Sequence, residues 1–381
     1  MIPRFAVLIV LLLAPSVGRA CQIPVFRYAL ERWPSDYYAL AVFTKGDLTE
    51  EQEKLLDEID SGIANVETVR IDLDKQISEQ LKPFGIAEPK EGELAARLFF
   101  PFIAGIEKPV WEGSLTRETY ERLVDSPMRR EVIKKILAGQ SAVWVILESG
   151  DAEKDAKMEK ELKEHLEGAK EWLQIPEGVV EAEDYERVER GEGSMKDMLR
   201  SEIPMQIAFD VVRMKRGDPE EEIFEKILLA VSSAPEEKLA GEPVAFPIFG
   251  RGRTVDGIPG KEMTEELMGY ACSYICGACS CEVKRDNPGA DILMTADWDE
   301  ALEGNWVVVD KELPPLAGVG DLIEAKTAPP ETPSADTPQP ANPQATGAAK
   351  STLPKNLIWL GCGLLAVLVI ATILVKRGTR R

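Results

Sequence analysis

Tyr37-Tyr-Ala-Leu-Ala-Val-Phe-Thr-Lys-Gly46-Asp47 and, farther along the chain, Ser141-Ala-Val-Trp-Val-Ile-Leu-Glu-Ser-Gly150-Asp151 share one layout. Each is a near-continuous apolar run, followed by Gly-Asp and then by an acidic amphipathic segment. An unbroken apolar run of this length suits a strand covered on both faces, the situation of a parallel α/β sheet. After the first run, Thr49 and Gln52 have the spacing of a capping box, and Leu55, Leu56 and Ile59 form one apolar stripe. After the second, Met158, Leu162, Leu166, Ala169 and Leu173 fall at helical spacing. A repeat of this kind predicts a duplicated α/β unit.

Outward from these runs the pattern continues in both halves. Val69, Ile71 and Leu73 alternate with polar residues as a strand does; residues 98–103 and 110–111 read as a hairpin, and 116–124 as a helix. In the second half an acidic, weakly patterned insertion over 177–201 precedes a strand at 205–212 and a helix opening at Asp218-Pro219. There Asp218 suits the N-cap, Pro219 the first helical position, and Glu221 the closing place of a capping box. Residues 244–249 and 253–258 read as a second hairpin and 263–275 as the last helix.

This order of elements resembles the thioredoxin-like fold, over about 37–124 and 141–275. The resemblance implies an α/β protein with two tandem thioredoxin-like units, each a mixed sheet with flanking helices. In that fold a redox Cys-x-x-Cys opens the first helix. Here those places hold Lys45-Gly46-Asp47-Leu48 and Ser149-Gly150-Asp151-Ala152, so both units are degenerate. A proline precedes the third core strand in the family; Pro243 fits, whereas Pro247 inside the same run removes a ladder donor. The stretch from Cys21-Gln-Ile-Pro-Val-Phe-Arg-Tyr to Trp33-Pro34 also resembles the start of a group of exported bacterial proteins, a resemblance that implies no activity.

The two ends set the expected topology. Arg4, the apolar run that follows it, and the small residues Gly18 and Ala20 describe a cleavable secretory signal, which makes Cys21 the first mature residue. A lipidated cysteine would occupy the same place, but Gly18 and Arg19 stand where an aliphatic and a small residue are expected. Residues 357–375 are uncharged and mostly apolar, close to the ~20 needed to span a bilayer. Lys376, Arg377, Arg380 and Arg381 follow, which puts that end in the cytoplasm. The expected organisation is a signal peptide over 1–20, a first unit over 21–138, and a second unit with the acidic insertion and a Cys-rich end over 139–325. A Pro/Ala/Thr-rich linker over 326–355, a transmembrane helix over 356–376 and a basic tail over 377–381 complete it. The bulk of the chain is then periplasmic, anchored to the cell membrane by a single pass.

Of six cysteines, four cluster as Cys272, Cys276, Cys279 and Cys281, while Cys21 lies at the mature start and Cys362 in the membrane segment. Cys272 and Cys276 are one helical turn apart, and Gly277 ends that helix. Three readings stay open. In an oxidising compartment the cluster forms disulfides, with Cys21 as a further partner. Cys276-Gly-Ala-Cys279 has the spacing of a thiol-disulfide centre, although at a helix C-terminus, where the dipole raises a thiol's pKa. Four thiolates also suit a soft metal ion, though such sites are usually two separated pairs. Cys21, just before the N-terminus of a helix begun at Pro24, is the best placed of the six to ionise.

Composition excludes several classes. Lys and Arg number 45 and Asp and Glu 66, a net charge of −21 that repels nucleic acid. The single histidine, His165, rules out a histidine triad or multi-histidine metal site, and its place beside Leu162 and Leu166 suits partial burial. The acidic runs carry interleaved basic residues, as solvated helix faces do. Arg251 and Arg253, in Phe249-Gly-Arg-Gly-Arg253, are read as a glycine-rich exposed turn able to contact an anion or partner. Trp298 and Trp306 are read as anchors for a C-terminal appendage. The sequence therefore points to an exported, membrane-anchored, non-catalytic interaction or scaffolding protein without a cofactor, whose partners are the bilayer and another envelope or membrane protein. The alternative is a membrane-anchored thiol-disulfide oxidoreductase or thiol metal-binding protein working through residues 272–281.

Overall fold

The computed structural model of the protein describes residues 21–303 except 91, 182 and 183. The signal segment 1–20, the linker 326–355, the membrane segment 356–376, the tail 377–381 and Trp306 lie outside the described residues. No helix among the described residues is long and apolar enough to cross a membrane.

The described chain is α/β, with two mixed sheets. Helix α1 (Val25–Arg32) leads into β1 (Tyr38–Thr44), α2 (Glu50–Asp60) and β2 (Val66–Asp72). Then come β3 (Ala95–Phe99), β4 (Trp111–Ser114), α3 (Arg117–Val124) and α4 (Pro127–Leu137). The first sheet has the order β2-β1-β3-β4, with β1 parallel to β2 and the other neighbours antiparallel.

The second half opens with β5 (Ala142–Leu147), α5 (Ala152–Trp172) and the short α6 (Tyr185–Glu189) within the acidic insertion. It continues through β6 (Phe209–Met214), α7 (Glu222–Val231), α8 (Glu236–Leu239) and β7 (Val244–Phe249). The short strands β8 (Arg253–Thr254) and β9 (Ile258–Pro259) follow, then α9 (Glu265–Cys276), β10 (Ala290–Asp291) and α10 (Trp298–Glu303). Here the order is β6-β5-β7-β8-β10, with β9 also on β7. Again the strand after the crossover, β6, is parallel to β5, and β7 is antiparallel to it. The four strands of the first sheet and β6-β5-β7-β8 of the second thus have the same order and directions.

Local chemistry explains the repeated strand-to-helix turn. Gly46 and Gly150 have φ of 74° and 90°, backbone that a side chain would strain. Thr49 then caps α2: its hydroxyl accepts from Gln52 N–H at 3.2 Å, and the Gln52 side chain accepts from Thr49 N–H at 2.9 Å. The Asp151 carboxylate caps α5 by accepting from Glu153 and Lys154 N–H at 3.0 and 3.2 Å.

Some boundaries differ from the sequence pattern, each for a local reason. β3 ends before Pro101, whose φ of −51° leads into a 3-10 turn at Phe102–Ala104. Asp218 does not cap α7. Its carboxylate accepts from Glu220 N–H at 3.0 Å in a turn, and the helix begins beyond, after Glu221. The hairpin arm expected over 253–258 is two short strands, because Val255 to Gly257 leave the ladder and Asp256 accepts from Ser233 N–H at 2.9 Å. Pro247 sits inside β7 opposite Trp144, and its carbonyl accepts from the Thr254 hydroxyl at 2.9 Å.

Alternation divides the core. Val143, Val145 and Leu147 of β5 join a cluster that includes Tyr38, Leu40 and Val42 of β1, the α2 stripe and Phe224, Ile227 and Leu228 of α7. Ala142, Trp144 and Ile146, on the other face of β5, meet α1, α5 and α9. The far face of the first sheet is a smaller cluster of Ala41, Phe43 and Ile71 with Phe84 and Phe99 packed on it. The two halves share the largest cluster and exchange their ends. Helix α1, early in the chain, covers the second sheet, while Leu293, Met294, Trp298 and Leu302, late in the chain, are buried with the first.

Asn65 and Arg129 fasten the late segment. Asn65 accepts from Met294 N–H at 2.7 Å and donates to Ile292 O at 3.2 Å. Buried Arg129 donates to Leu123 O at 2.9 Å, Leu293 O at 3.1 Å and the Ser126 hydroxyl at 3.1 Å. Burial pulls its guanidinium pKa down to about 10. Replacing Arg129 by Met leaves these acceptors without their donor inside the protein, so Arg129→Met should lower stability by about 2–4 kcal/mol. Urea unfolding measures this, and an unchanged midpoint would show that the segment is held by packing alone.

Candidate functional site

The sequence-predicted cysteines converge on one place, the junction where α1 begins and α9 ends. Val25 N–H donates to Gly277 O at 3.0 Å and Cys279 N–H to Ile23 O at 2.9 Å, around an isolated antiparallel bridge between Pro24 and Ala278. Cys21, Cys272, Cys276 and Cys279 are all buried in the cluster that contains Ile23, Phe26 and Trp144. Cys281 is half-buried, and its sulfur lies 3.8 Å from Val283 O and 3.7 Å from Asp286 Oδ2. All five are free thiols in the structure.

Burial dominates their ionisation. It pushes the Cys272 thiol up to about 12 and the Cys279 thiol up to about 11, the latter with the neighbouring Cys21 adding to the effect. Cys276 is raised further still, by burial and then by Cys272. The expectation that Cys21 ionises readily before a helix N-terminus is corrected here. Its sulfur sits inside the core, where burial raises its pKa first, and the backbone hydrogen bond from Ile23 only partly opposes this. A nucleophilic or metal-binding thiol must lose its proton, and these four resist losing it. Among the described residues no group of three or more His, Cys, Asp or Glu side chains is placed to hold a metal ion.

Around the thiols is a polar frame that the sequence did not single out. Arg27 and Glu31, one turn apart on α1, are both buried, with Arg27 Nε 2.8 Å from Glu31 Oε1. That contact lacks hydrogen-bond alignment and counts as an ion pair. Arg27 Nη2 donates to Ser201 O at 2.9 Å and to Ile203 O at 2.6 Å. The Glu31 carboxylate accepts from the N–H groups of Arg200 and Ser201 at 2.9 and 3.1 Å and from the Ser201 hydroxyl at 2.9 Å. Gln22 N–H donates to Asp197 Oδ1 at 2.6 Å, and Arg32 to Met198 O at 2.6 Å. The acidic insertion is therefore a brace along α1. Burial pulls the Arg27 pKa down while Glu31 works the other way. The signal available in the sequence was a charged pair at i, i+4 within an otherwise apolar helix, a spacing that by itself is equally common on exposed faces.

Arg251 and Arg253 are not on an exposed turn, which corrects the sequence reading. Arg251 donates to Leu30 O, at the end of α1, at 2.8 Å and pairs with Asp299 at 2.8 Å. Arg253 is buried over the Trp33 ring, its guanidinium carbon 5.5 Å from the centroid. It donates to Pro288 O, Asn287 O and Gly289 O at 3.0, 2.8 and 3.0 Å and pairs with Asp291 at 3.1 Å. Asp291 also meets Lys284, which pairs with Asp36 at 3.0 Å. Their donors are taken up inside the protein because the turn is pressed between α1 and the 287–291 loop. His165 is half-buried and Trp298 is buried in the core.

The clefts lie elsewhere. One of about 370 Å³ runs beside β3 and β4, lined by Leu94, Arg97, Glu112 and Ser114. Another, of about 310 Å³, is bounded by Pro34, Ile103, Val283 and Lys284. Neither contains a cysteine. No protein-family model, curated protein or solved structure matches the chain.

Two outcomes are expected. Removing one partner of the buried pair strands the other, so Arg27→Met and Glu31→Gln should each cost about 3–5 kcal/mol and the double variant less than their sum; additive losses in chemical denaturation would refute the coupling. The second concerns pH. Unfolded thiols ionise near 9.0, whereas folded Cys272 and Cys276 stay protonated to about 12 or beyond. Their contribution to stability is present below pH 9 and declines as pH rises toward the folded values, by about 1.4 kcal/mol per unit for each thiol. The unfolding midpoint should fall between about pH 8.5 and 10.5, and Cys272→Ala with Cys276→Ala should flatten that slope.

Proposed function

We propose that the protein is an exported, membrane-anchored interaction or scaffolding protein built on two degenerate thioredoxin-like units. The single observation that carries this reading is the twice-repeated sheet order in which both first helices open on capping residues instead of thiols. In a redox thioredoxin-like protein the N-terminus of that helix lowers the pKa of an attacking cysteine. Here the helix N-termini are occupied by the Thr49 hydroxyl and the Asp151 carboxylate, which accept the free N–H groups. Cys272 and Cys276 are at the opposite end of another helix, where burial raises the pKa of both thiols. This weighs against the thiol-disulfide and thiol-metal reading.

Export and anchoring rest on the sequence: the signal-like start, the apolar residues 357–375 and the basic tail. With a net charge of −21 the partner is a protein of the envelope or membrane rather than a nucleic acid. Two measurements test the proposal. The full chain should show no reduction or isomerisation of a disulfide substrate above background, where a thioredoxin control is active. In sealed cells stripped of any outer barrier, added protease should digest the folded bulk and leave a short membrane fragment. Turnover in the first assay, or protection in the second, would refute it.

A further inference from the structure

We propose that removal of the signal segment creates the counter-ion of Asp197: the new α-ammonium group of Cys21 pairs with this buried carboxylate and fastens the start of the mature chain to the acidic insertion. Asp197 closes the 3-10 turn Met195–Asp197 and is only 5% exposed. Its Oδ1 accepts from Gln22 N–H at 2.6 Å. Among the described residues no cationic side chain pairs with it: Lys196 pairs with Glu282 at 3.6 Å, and Arg32 donates to Met198 O at 2.6 Å. A carboxylate withdrawn from water without an opposite charge is costly, and buried charges are as a rule paired.

Covalent geometry fixes where the new charge falls. Successive backbone nitrogens are at most about 3.7 Å apart, so the Cys21 nitrogen lies within about 6.3 Å of Asp197 Oδ1. At that range an opposite charge is felt strongly. The place is closed on several sides. Cys21 is buried with its sulfur 3.9 Å from Lys196 O, and Gln22 fills the space where a side chain at Gly178 would stand. Val180 N–H donates to Asp197 O at 2.9 Å, which ties the turn to the other arm of the insertion. Of the charged side chains around Cys21, Asp197 acts on it most strongly, ahead of Arg32 and Glu282. The two carboxylates attract an ammonium group there and the guanidinium opposes them.

The inference rests on the exported reading for the cleavage itself. Hydrolysis of the Ala20–Cys21 peptide bond by a signal endopeptidase consumes one water. The C–N bond breaks, the hydroxyl goes to the Ala20 carbonyl carbon and the hydrogen to the Cys21 nitrogen. At neutral pH the new carboxyl gives up its proton and the amine takes one up. The precursor carries a neutral amide at this place, so the pair forms only in the mature chain, and maturation is coupled to the seating of the insertion along α1.

The full chain, expressed with its own signal in an exporting host and purified in detergent, is examined by intact mass and N-terminal sequencing. A chain that starts at Cys21 with a free amine is expected. Retention of residues 1–20 would overturn the exported reading together with the pair, whereas a different start, or an acylated Cys21, would overturn the pair alone. At pH 7 an acylating ester should label this amine at least about tenfold more slowly in the folded chain than in urea. Asp197→Asn, which keeps an oxygen for Gln22 N–H, should speed the labelling of the folded chain. The same substitution should raise the unfolding equilibrium constant of the processed chain about ten- to a hundredfold and leave that of an uncleaved Ala20→Phe chain unchanged. Equal labelling in folded and unfolded chain, no gain in rate with Asp197→Asn, or an equal effect of that substitution on both forms would overturn the proposal.

Discussion

A guanidinium and a carboxylate withdrawn from water on one helix, Arg27 and Glu31, are the constraint on which the architecture turns. Burying such a pair carries a heavy desolvation cost, tolerable only where every remaining donor and acceptor finds a partner. Here the partners are main-chain groups of residues 200–203, at the end of the acidic insertion. The pair therefore holds α1 and specifies where the insertion lies. With α1 held, its apolar residues cover the outer face of the second sheet, and Arg251 and Trp33 find their contacts against it and the loop beyond α9.

The same seating ties the two halves into one structure. Early chain completes the second sheet, and late chain completes the first through Asn65, Arg129 and the Tyr38 hydroxyl, which donates to Asp291 O at 2.9 Å. Each half lacks a cover that the other supplies, and the largest apolar cluster draws on both. Loss of α1 thus exposes one sheet directly and loosens the loop that leads into the cover of the other. This favours cooperative behaviour over two independent domains joined by a linker.

The thiols follow from this arrangement. A Cys-rich stretch beside a helix terminus suggests reactivity, yet the sulfurs are enclosed by the helix they adjoin, and burial governs ionisation more strongly than a helix end does. Phe102, Tyr270 and Trp172 are solvent-exposed.

Local chemistry was legible in the sequence wherever a short stretch settles its own geometry. The apolar runs at β1 and β5, the Gly-Asp turns, the Thr49–Gln52 capping box and the 158–169 stripe are such cases, because periodicity and capping depend on neighbours a few residues away. Boundaries slipped where a side chain had two local uses, as at Asp218, which closes a turn before the helix. The repeated order of strands was legible as well, and with it the mixed α/β class. Only the tertiary structure decided that α1 covers the second sheet, that Arg251 and Arg253 point inward, and that Cys21 and Cys279 are buried in the same cluster as Cys272 and Cys276. Those facts depend on contacts between residues far apart in the chain, and nothing in the composition of Arg27-Tyr-Ala-Leu-Glu31 distinguishes a buried pair from an exposed one.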